Sequence, residues 1–379
     1  MDTVQFKSCR KCILDQRDDP DIYIDSNGIC NHCHEYDEKA RIGLIGGVEA
    51  QEKLDLIFKR IKTERRGKYD SILGVSGGVD STYVAWIAKK HGLNPLLVHF
   101  DNGWNSELAV QNIENIVTNL GFDLITYVVD WDEFKDIQLA YFKANVVDIE
   151  AITDHAILAT LYNVAKKNQI HYILSGTNIT TEAILPSHWV HRKTDWLNIK
   201  DIHKQYGQKK LRTFPYLSHY RFLYFTHIYK INSVSPLNYL NYSKNEAKEI
   251  IQRELGWRDY GGKHYESIFT RFYQGFILPT KFGIDKRKAH LSSLICSGQI
   301  TRENALKELS SSDYDVKKIE EDKEFVLKKL GFTEKEFSDY LNSPARSHLE
   351  FASYVKTTWK KQPLILRVLK PLYKLIRKK

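Results

Sequence analysis

The sequence predicts an α/β protein built on a parallel, doubly wound sheet. Short apolar runs recur at 71–75, 95–100, 124–129 and 171–174, and helical stretches separate them. Glycines stand where two of those helices should stop, at Gly92 and Gly121. Strands that alternate with helices need crossover connections, which set successive strands parallel and lay helices on both faces of the sheet.

The elements follow in order. The first ~40 residues are polar and cysteine-bearing, too poor in apolar periodicity to fold on a core of their own. Residues 48–66 place Leu54, Ile57, Phe58 and Ile61 at helical spacing and predict a connecting helix. Ser71–Val75 is the first strand, and Asp80–Lys90 the helix after it. Pro95–Phe100 is the second strand, Ser106–Leu120 the second helix, and Leu124–Val129 the third strand. Residues 132–147 and 153–168 read as helical, and His171–Leu174 as a fourth strand. Beyond ~190 the chain turns rich in Tyr and Trp. Ser243/Glu246 and Thr333/Glu336 carry capping-box spacing, and 301–342 reads as mainly helical. Ligands of such sheets bind beyond the carboxyl ends of the strands, so the loops after Val75, Phe100 and Leu174 should form the functional rim.

The 379 residues allow two or three domains, and the hydrophobic content suits a chain that buries a sizeable core. No apolar stretch of ~18 residues exists to span a membrane, and the N-terminus lacks the apolar core of a signal peptide, so the expected location is cytoplasmic. The net charge is +9, but Lys360–Lys379 holds eight basic residues and no acidic one, which leaves +1 for the rest. A nearly neutral body has no global field for a polyanion, and no nucleic-acid partner is expected.

Ser76-Gly77-Gly78-Val79-Asp80-Ser81, between a strand and a helix, is the most specific signal. Glycines let backbone N–H groups approach phosphate oxygens, and the helix N-terminus adds its unpaired donors. Asp80 beside an anion calls for a cation such as Mg²⁺. The Walker pattern is absent. A ligand-free glycine turn is the plain alternative. Cys9, Cys12, Cys30 and Cys33 form two Cys-x2-Cys pairs, the spacing of a closed, structural Zn²⁺ site. Cys296 stands apart and suits a small core position.

The loop resembles the signature of the PP-loop ATP pyrophosphatases. Together with the paired cysteines, HFDNGW (99–104), Thr153-Asp154-His155, SGTN (175–178) and the run 281–306, it resembles the N-acetyl sugar amidotransferases over residues ~5 to ~345. The resemblance implies a PP-loop (adenine nucleotide alpha hydrolase-like) sheet with an N-terminal zinc ribbon and a mainly helical C-terminal region. It implies a zinc-binding module over 1–45, a connecting helix over 46–68, an ATP-binding domain over 69–190, a substrate-binding region over 191–345 and a basic, apolar tail over 346–379. It further implies that ATP adenylates the N-acetyl oxygen of a nucleotide-linked sugar and that ammonia then converts the imidate to an acetamidino group, in bacterial surface-polysaccharide (O-antigen) synthesis. Ammonia would come from separate glutaminase subunits resembling imidazole glycerol phosphate synthase. Adenine and ribose are expected near Phe100, Asp101 and Asn102, with Gly176, Thr177 and Asn178 on a further ATP loop.

Candidate catalytic groups are Asp80, Asp154, His155 and Glu182. Asp154 or His155 can orient ammonia or take its proton, although Asp154 equally suits a helix cap. Glu182 suits a base or a metal ligand, and equally a solvated loop. Lys281, Arg287 and Arg192 are candidates for an anionic substrate, or solvated surface charges; Lys288, His188, His191 and Lys193 share that ambiguity. The tail from Pro363 mixes apolar and basic residues and is a candidate for peripheral membrane contact, or else a docked or disordered end. Two other readings are a tRNA-thiolating PP-loop enzyme, which Cys296 alone serves poorly with the other four cysteines in zinc, and a non-catalytic zinc-ribbon module on a degenerate nucleotide fold.

Overall fold

A computed structural model describes residues 7–44, 47–262, 265–310 and 314–356. The chain runs through α1 (Asn31–Gly43), α2 (Gly47–Thr63), β1 (Ser71–Gly74), α3 (Val79–Lys90), β2 (Pro95–Asp101), α4 (Glu107–Leu120), β3 (Leu124–Val128), α5 (Trp131–Ala144), α6 (Ala151–Lys167), β4 (Tyr172–Leu174) and β5 (Asn232–Val234). Every strand pair is parallel, in the order β3-β2-β1-β4-β5. The α/β reading therefore holds. The sequence showed neither α1 nor β5: α1 is short and polar, and Asn232-Ser233-Val234 is a three-residue edge strand with little apolar signal. β5 pairs Tyr172 with Asn232 and Leu174 with Val234.

Strand alternation sorts the central residues onto two faces. Leu73, Leu97, Tyr172 and Leu174 pack against α3, α4 and the segment around Leu237–Trp257. Ile72, Leu96, Val98 and Ile173 pack against Ala159, Tyr162 and Ala165 of α6. Both faces are covered, which is why these strands read as continuous apolar runs. The strand order reverses between β1 and β4. The crevice beyond their carboxyl ends is the switch point where such sheets bind ligands, and both glycine loops open there.

The C-terminal region is helical as expected, with helices at Arg302–Ser310, Val316–Leu330 and Glu334–Asn342. Thr333 and Glu336 form both halves of a capping box, and Ser243 caps Lys244–Leu255 through the Glu246 N–H. The N-terminal module does not stand alone. Its cysteines share a core with Tyr36, Ile184, Trp189 and Ala289, and Trp189 Nε1 donates to the Asp18 carbonyl at 2.8 Å. Among the described residues no helix is long and apolar enough to cross a membrane. The tail from 357 onward lies outside them.

Candidate active site at the sheet switch point

The loop after β1 is shaped by close backbone approaches. Gly77 has φ +77°, and a Cβ there would lie 2.6 Å from the Ala109 carbonyl oxygen. Trp257 Nε1 holds the Gly77 carbonyl at 2.8 Å. α3 starts at Val79 with Gly78 as N-cap and no side-chain cap; the Val79 N–H meets the Tyr260 hydroxyl, and Gly78, Val79, Asp80 and Ser81 at this helix start line the pocket. The Gly78 carbonyl accepts from Thr82 Oγ1 at 2.6 Å, which turns it away from the crevice mouth. A Cβ on Gly176 would lie 2.9 Å from Ser81 N, so the second glycine loop presses directly on the first.

Ser76, Gly78, Val79, Asp80, Ser81, Gly176, Thr177 and Glu182 line a pocket of ≈ 180 Å³, with Lys244 and Lys248 on its far side. Asp80 and Glu182 bring two carboxylates to a pocket whose other groups suit phosphate, the donor set a hard divalent cation requires. Tyr242 donates its hydroxyl to Asp80, and burial, then the Asp80 charge, pushes the phenol far above its ordinary pKa.

The pocket opens into a cavity of ≈ 1050 Å³ reached also by Phe100, Asn102, Asp154 and Arg287. Phe100 and Asn102 stand at the end of β2, and Asn102 Nδ2 donates to Thr153 Oγ1 at 3.4 Å. A cluster of charges forms the cavity floor. Lys193 Nζ pairs with Asp148 at 2.6 Å and with Asp154 at 3.0 Å. Burial opposes ionisation of Asp148, but Lys193 and Lys286 outweigh it and hold the carboxyl below its ordinary value. Glu150 lies deeper, accepting from Thr270 Oγ1 and, at 3.1 Å, from Gln274 Nε2. Burial raises its pKa against the pull of Lys286, and Asp154 adds to the rise. A buried carboxyl facing a cavity with a raised pKa has the properties of a general base. Sequence reading missed Glu150, Lys244, Lys248 and Lys286, because nothing local distinguishes them from surface charges.

Other expected residues lie elsewhere. His155 does not face the cleft. It is fully buried and stacked on Trp196, with Nδ1 donating to the Lys193 carbonyl at 2.7 Å and Nε2 accepting from Leu217 N at 3.0 Å. Both nitrogens are engaged and burial lowers its pKa to about 4, so it is a neutral structural histidine. Asp154 is no helix cap; it sits in the first turn of α6 and its partner is Lys193. Asp101 is turned onto Gly103 N and Asn105 Nδ2, and does not line the cavity. Asn178 caps the short helix Ile179–Glu182 by accepting from Thr181 N at 2.8 Å, and it too stays out of the lining. Gly77 shapes the loop from behind and is not at the pocket surface. Lys281 donates to the Tyr340 and Ser343 carbonyls, tying the helical region together. Arg192 bonds Thr194 Oγ1 at 2.8 Å on the exposed surface. Lys288 reaches the N-terminal module, at 2.7 Å from Asp18.

Cys9, Cys12, Cys30 and Cys33 are buried, with ligand atoms all within 4.8 Å of one another. Three sulfur pairs stand at 3.7–3.8 Å. A tetrahedron with metal–sulfur bonds of about 2.3 Å has edges of about 3.8 Å, which these three pairs match, so the four thiols are compatible with Zn²⁺. Cys296 lies beside them, 3.6 Å from Cys33, on the helix Lys286–Cys296. That helix presents Lys286, Arg287, Ala289 and His290 to the cavity, so the cysteine module buttresses a cavity wall.

Two stretches of the chain match known families. Residues 50–215 match NAD synthase, and residues 266–364 match the C-terminal domain described as LPS biosynthesis protein WbpG-like. A tRNA(Ile)-lysidine synthase from Chlamydia pneumoniae is 29% identical over 90 residues, 23% of this chain and 27% of that protein. Among solved structures, NMN synthetase from Francisella tularensis aligns at 14% identity and a TM-score of 0.30, over 60% of this chain and 93% of that one. The NH3-dependent NAD synthetase from Campylobacter jejuni aligns at 15% identity and a TM-score of 0.29, over 35% of this chain and 57% of that one.

Proposed function

We propose that this chain, whose residues 50–215 match NAD synthase and whose residues 266–364 match the WbpG-like C-terminal domain, is an ATP-dependent amidotransferase that converts an N-acetyl group of a nucleotide-linked sugar to an acetamidino group. The observation that carries this reading is the junction of two sites: the glycine-loop pocket opens into a far larger cavity lined by a buried carboxyl, Glu150. An enzyme that only split ATP has no use for the second space. The matching C-terminal family description supports a place in lipopolysaccharide synthesis.

The chemistry follows from the weakness of an amide as an electrophile. Its oxygen cannot leave as oxide at neutral pH. Attack of that oxygen on the α-phosphorus of ATP expels pyrophosphate and makes an O-adenylyl imidate. Ammonia adds to the imidate carbon, a proton is lost, and AMP leaves with the former amide oxygen. No covalent enzyme nucleophile is required; the protein orients the partners, stabilises phosphate charge and manages one proton.

In this reading the N–H groups at the start of α3, with Ser76, Ser81 and Lys244, hold the phosphates, and Phe100 and Asn102 flank the nucleoside. Asp80 and Glu182 hold Mg²⁺, which offsets phosphate charge when bound. Glu150 accepts the ammonia proton, while Lys193 fixes Asp154 beside it. Arg287 and Lys286 face the anionic carrier of the sugar. The four cysteines hold a structural Zn²⁺ that braces the Lys286–Cys296 helix. Ammonia comes from a separate glutaminase.

The test is mass spectrometry of the protein with ATP, Mg²⁺, ammonium salt and UDP-linked N-acetylated sugars. The expected result is AMP together with a sugar in which one oxygen has become NH. AMP without any altered sugar, across the panel of sugars and with tRNA then accepted as substrate, would favour the thiolating reading instead.

A further inference from the structure

The pocket at the start of α3 has a wall that the glycine loops do not supply. The helix Lys244–Leu255 ends at Gly256, left-handed at φ +63°, and the residues after it meet the loop that follows β1. Each is tied down there. Trp257 Nε1 donates to the Gly77 carbonyl. Asn112 of α4 grips the Arg258 backbone twice, with Oδ1 accepting from its N–H at 2.9 Å and Nδ2 donating to its carbonyl at 2.9 Å. Asp259 accepts from Lys248 Nζ at 2.6 Å and from Gly261 N at 3.0 Å. Between these anchors Tyr260 sets its ring edge-on to Trp257, with centroids 5.6 Å apart, and lines the pocket.

The Tyr260 oxygen accepts from the Val79 N–H, at the first residue of α3. A Cβ on Gly78 would lie 3.3 Å from that oxygen, so the missing side chain at Gly78 makes room for the phenol. A phenol whose oxygen accepts an N–H keeps its own proton to donate, and the accepted bond polarises that O–H. Burial, then the charges of Glu266 and Asp80, holds the phenol far above its ordinary pKa, so it stays protonated throughout the working pH range. A donor is what this seat needs, because Asp80, Glu182 and Glu266 already bring carboxylates to it. The α-phosphate of ATP has to stand at the pocket mouth, where the large cavity can bring a reacting oxygen to it. The small pocket then receives the other two phosphates, with Lys244 and Lys248 across from the helix start.

We propose that Tyr260 is a binding residue for the pyrophosphate half of ATP, donating its O–H to a phosphate oxygen while the Val79 N–H holds its own oxygen in place. The phenol thereby extends the positive end of α3 by one hydrogen bond into the pocket. Tyr260 lies between the two matched stretches, 50–215 and 266–364. The assignment rests on the pocket being the ATP phosphate seat and is indifferent to which molecule ATP then activates.

The test is calorimetric titration of the full chain and of Tyr260→Phe with the α,β-methylene analogue of ATP, pyrophosphate, AMP and a UDP-linked N-acetylated sugar, each with Mg²⁺. Phenylalanine keeps the ring on Trp257, so the comparison reads the hydroxyl. The ATP analogue and pyrophosphate should bind about tenfold or more weakly, the loss of one hydrogen bond to a charged group. AMP and the sugar should stay within about twofold. Equal weakening with AMP overturns the assignment, since the hydroxyl would then only shape the loop. Weakening with the sugar alone overturns it in favour of the carrier diphosphate, and four unchanged affinities overturn it outright. A second variant, Tyr260→3-fluorotyrosine, keeps the shape and makes the O–H a stronger donor. Pyrophosphate should then bind more tightly, and unchanged or weaker binding would contradict the donor role. A parent chain that binds neither the ATP analogue nor pyrophosphate would remove the phosphate seat itself, and Tyr260 with it; failure of the sugar chemistry alone would leave the assignment standing.

Discussion

The two walls of the candidate site are made differently. The rim at 76–81 and 175–178 is made of backbone: glycines without Cβ atoms, an uncapped helix start and carbonyls tied back by Thr82 and Trp257. The floor is made of ionisable side chains, Glu150, Asp154, Lys193 and Lys286, drawn from α6's entry and two distant segments, with Asp148 behind Lys193. A wall made of backbone fails when something is added to it. A wall made of paired charges fails when something is taken away.

The largest effect should come from the carboxylate on the rim. Asp80→Asn keeps the shape but removes a carboxylate facing phosphate, and should lower kcat for AMP formation by about a thousandfold, measured by single-turnover kinetics with saturating Mg²⁺. A loss under tenfold would remove Asp80 from the site's electrostatics. On the backbone wall, Gly176→Ala puts a methyl 2.9 Å from Ser81 N and should displace the loop. ATP binding, read by calorimetry, should weaken about a hundredfold, at a cost of roughly 3 kcal/mol. Unchanged ATP affinity would show that the two loops are not in contact in solution.

On the charged wall, Glu150→Gln is nearly isosteric and keeps an acceptor for Thr270. The expected result is a fall in kcat of about a hundredfold with KM for ATP little changed, and loss of the acid limb of the pH–rate profile. A variant that keeps the limb would exclude Glu150 as the base. Two buried histidines behind that wall set an acid limit on stability. Burial holds the pKa of His155 at about 4 and of His348 at about 3, below the ordinary 6.5. The unfolded chain therefore takes up protons that the fold rejects. Their contribution is present above pH 6.5 and is lost as the pH falls toward those folded values. Urea midpoints should drop steeply across that window, and a flat profile would contradict the buried, neutral assignment. The smallest effect belongs to Arg192→Ala, whose side chain only reaches Thr194 on the surface. Turnover should stay within about twofold.

This contrast also explains what the sequence revealed. The rim was legible because its chemistry is local: Ser-Gly-Gly-Val-Asp-Ser between a strand and a helix implies its own shape. The four cysteines were legible for the same reason, since Cys-x2-Cys spacing places two thiols on one turn. The floor was not. Glu150 becomes a buried carboxyl only because Thr270 and Gln274 arrive from 120 or more residues away. His155 misled because its neighbour Asp154 does reach the cavity, while one residue further along α6 the side chain points into the core. Lys281 and Arg192 misled because a basic run carries no mark of which charge faces a ligand. β5 stayed hidden because an edge strand of three residues needs only backbone pairing with β4, not apolar side chains.

The central claim is that ATP activates the oxygen of an N-acetyl group. The most direct measurement follows that oxygen, using a nucleotide-linked sugar whose acetyl carbonyl carries a heavy-oxygen label, with ATP, Mg²⁺ and ammonium in ordinary water. The account predicts one labelled oxygen on the phosphate of AMP for every acetamidino group formed. AMP that carries no label while the sugar keeps its own would contradict it, because the phosphate would then have been transferred to something else.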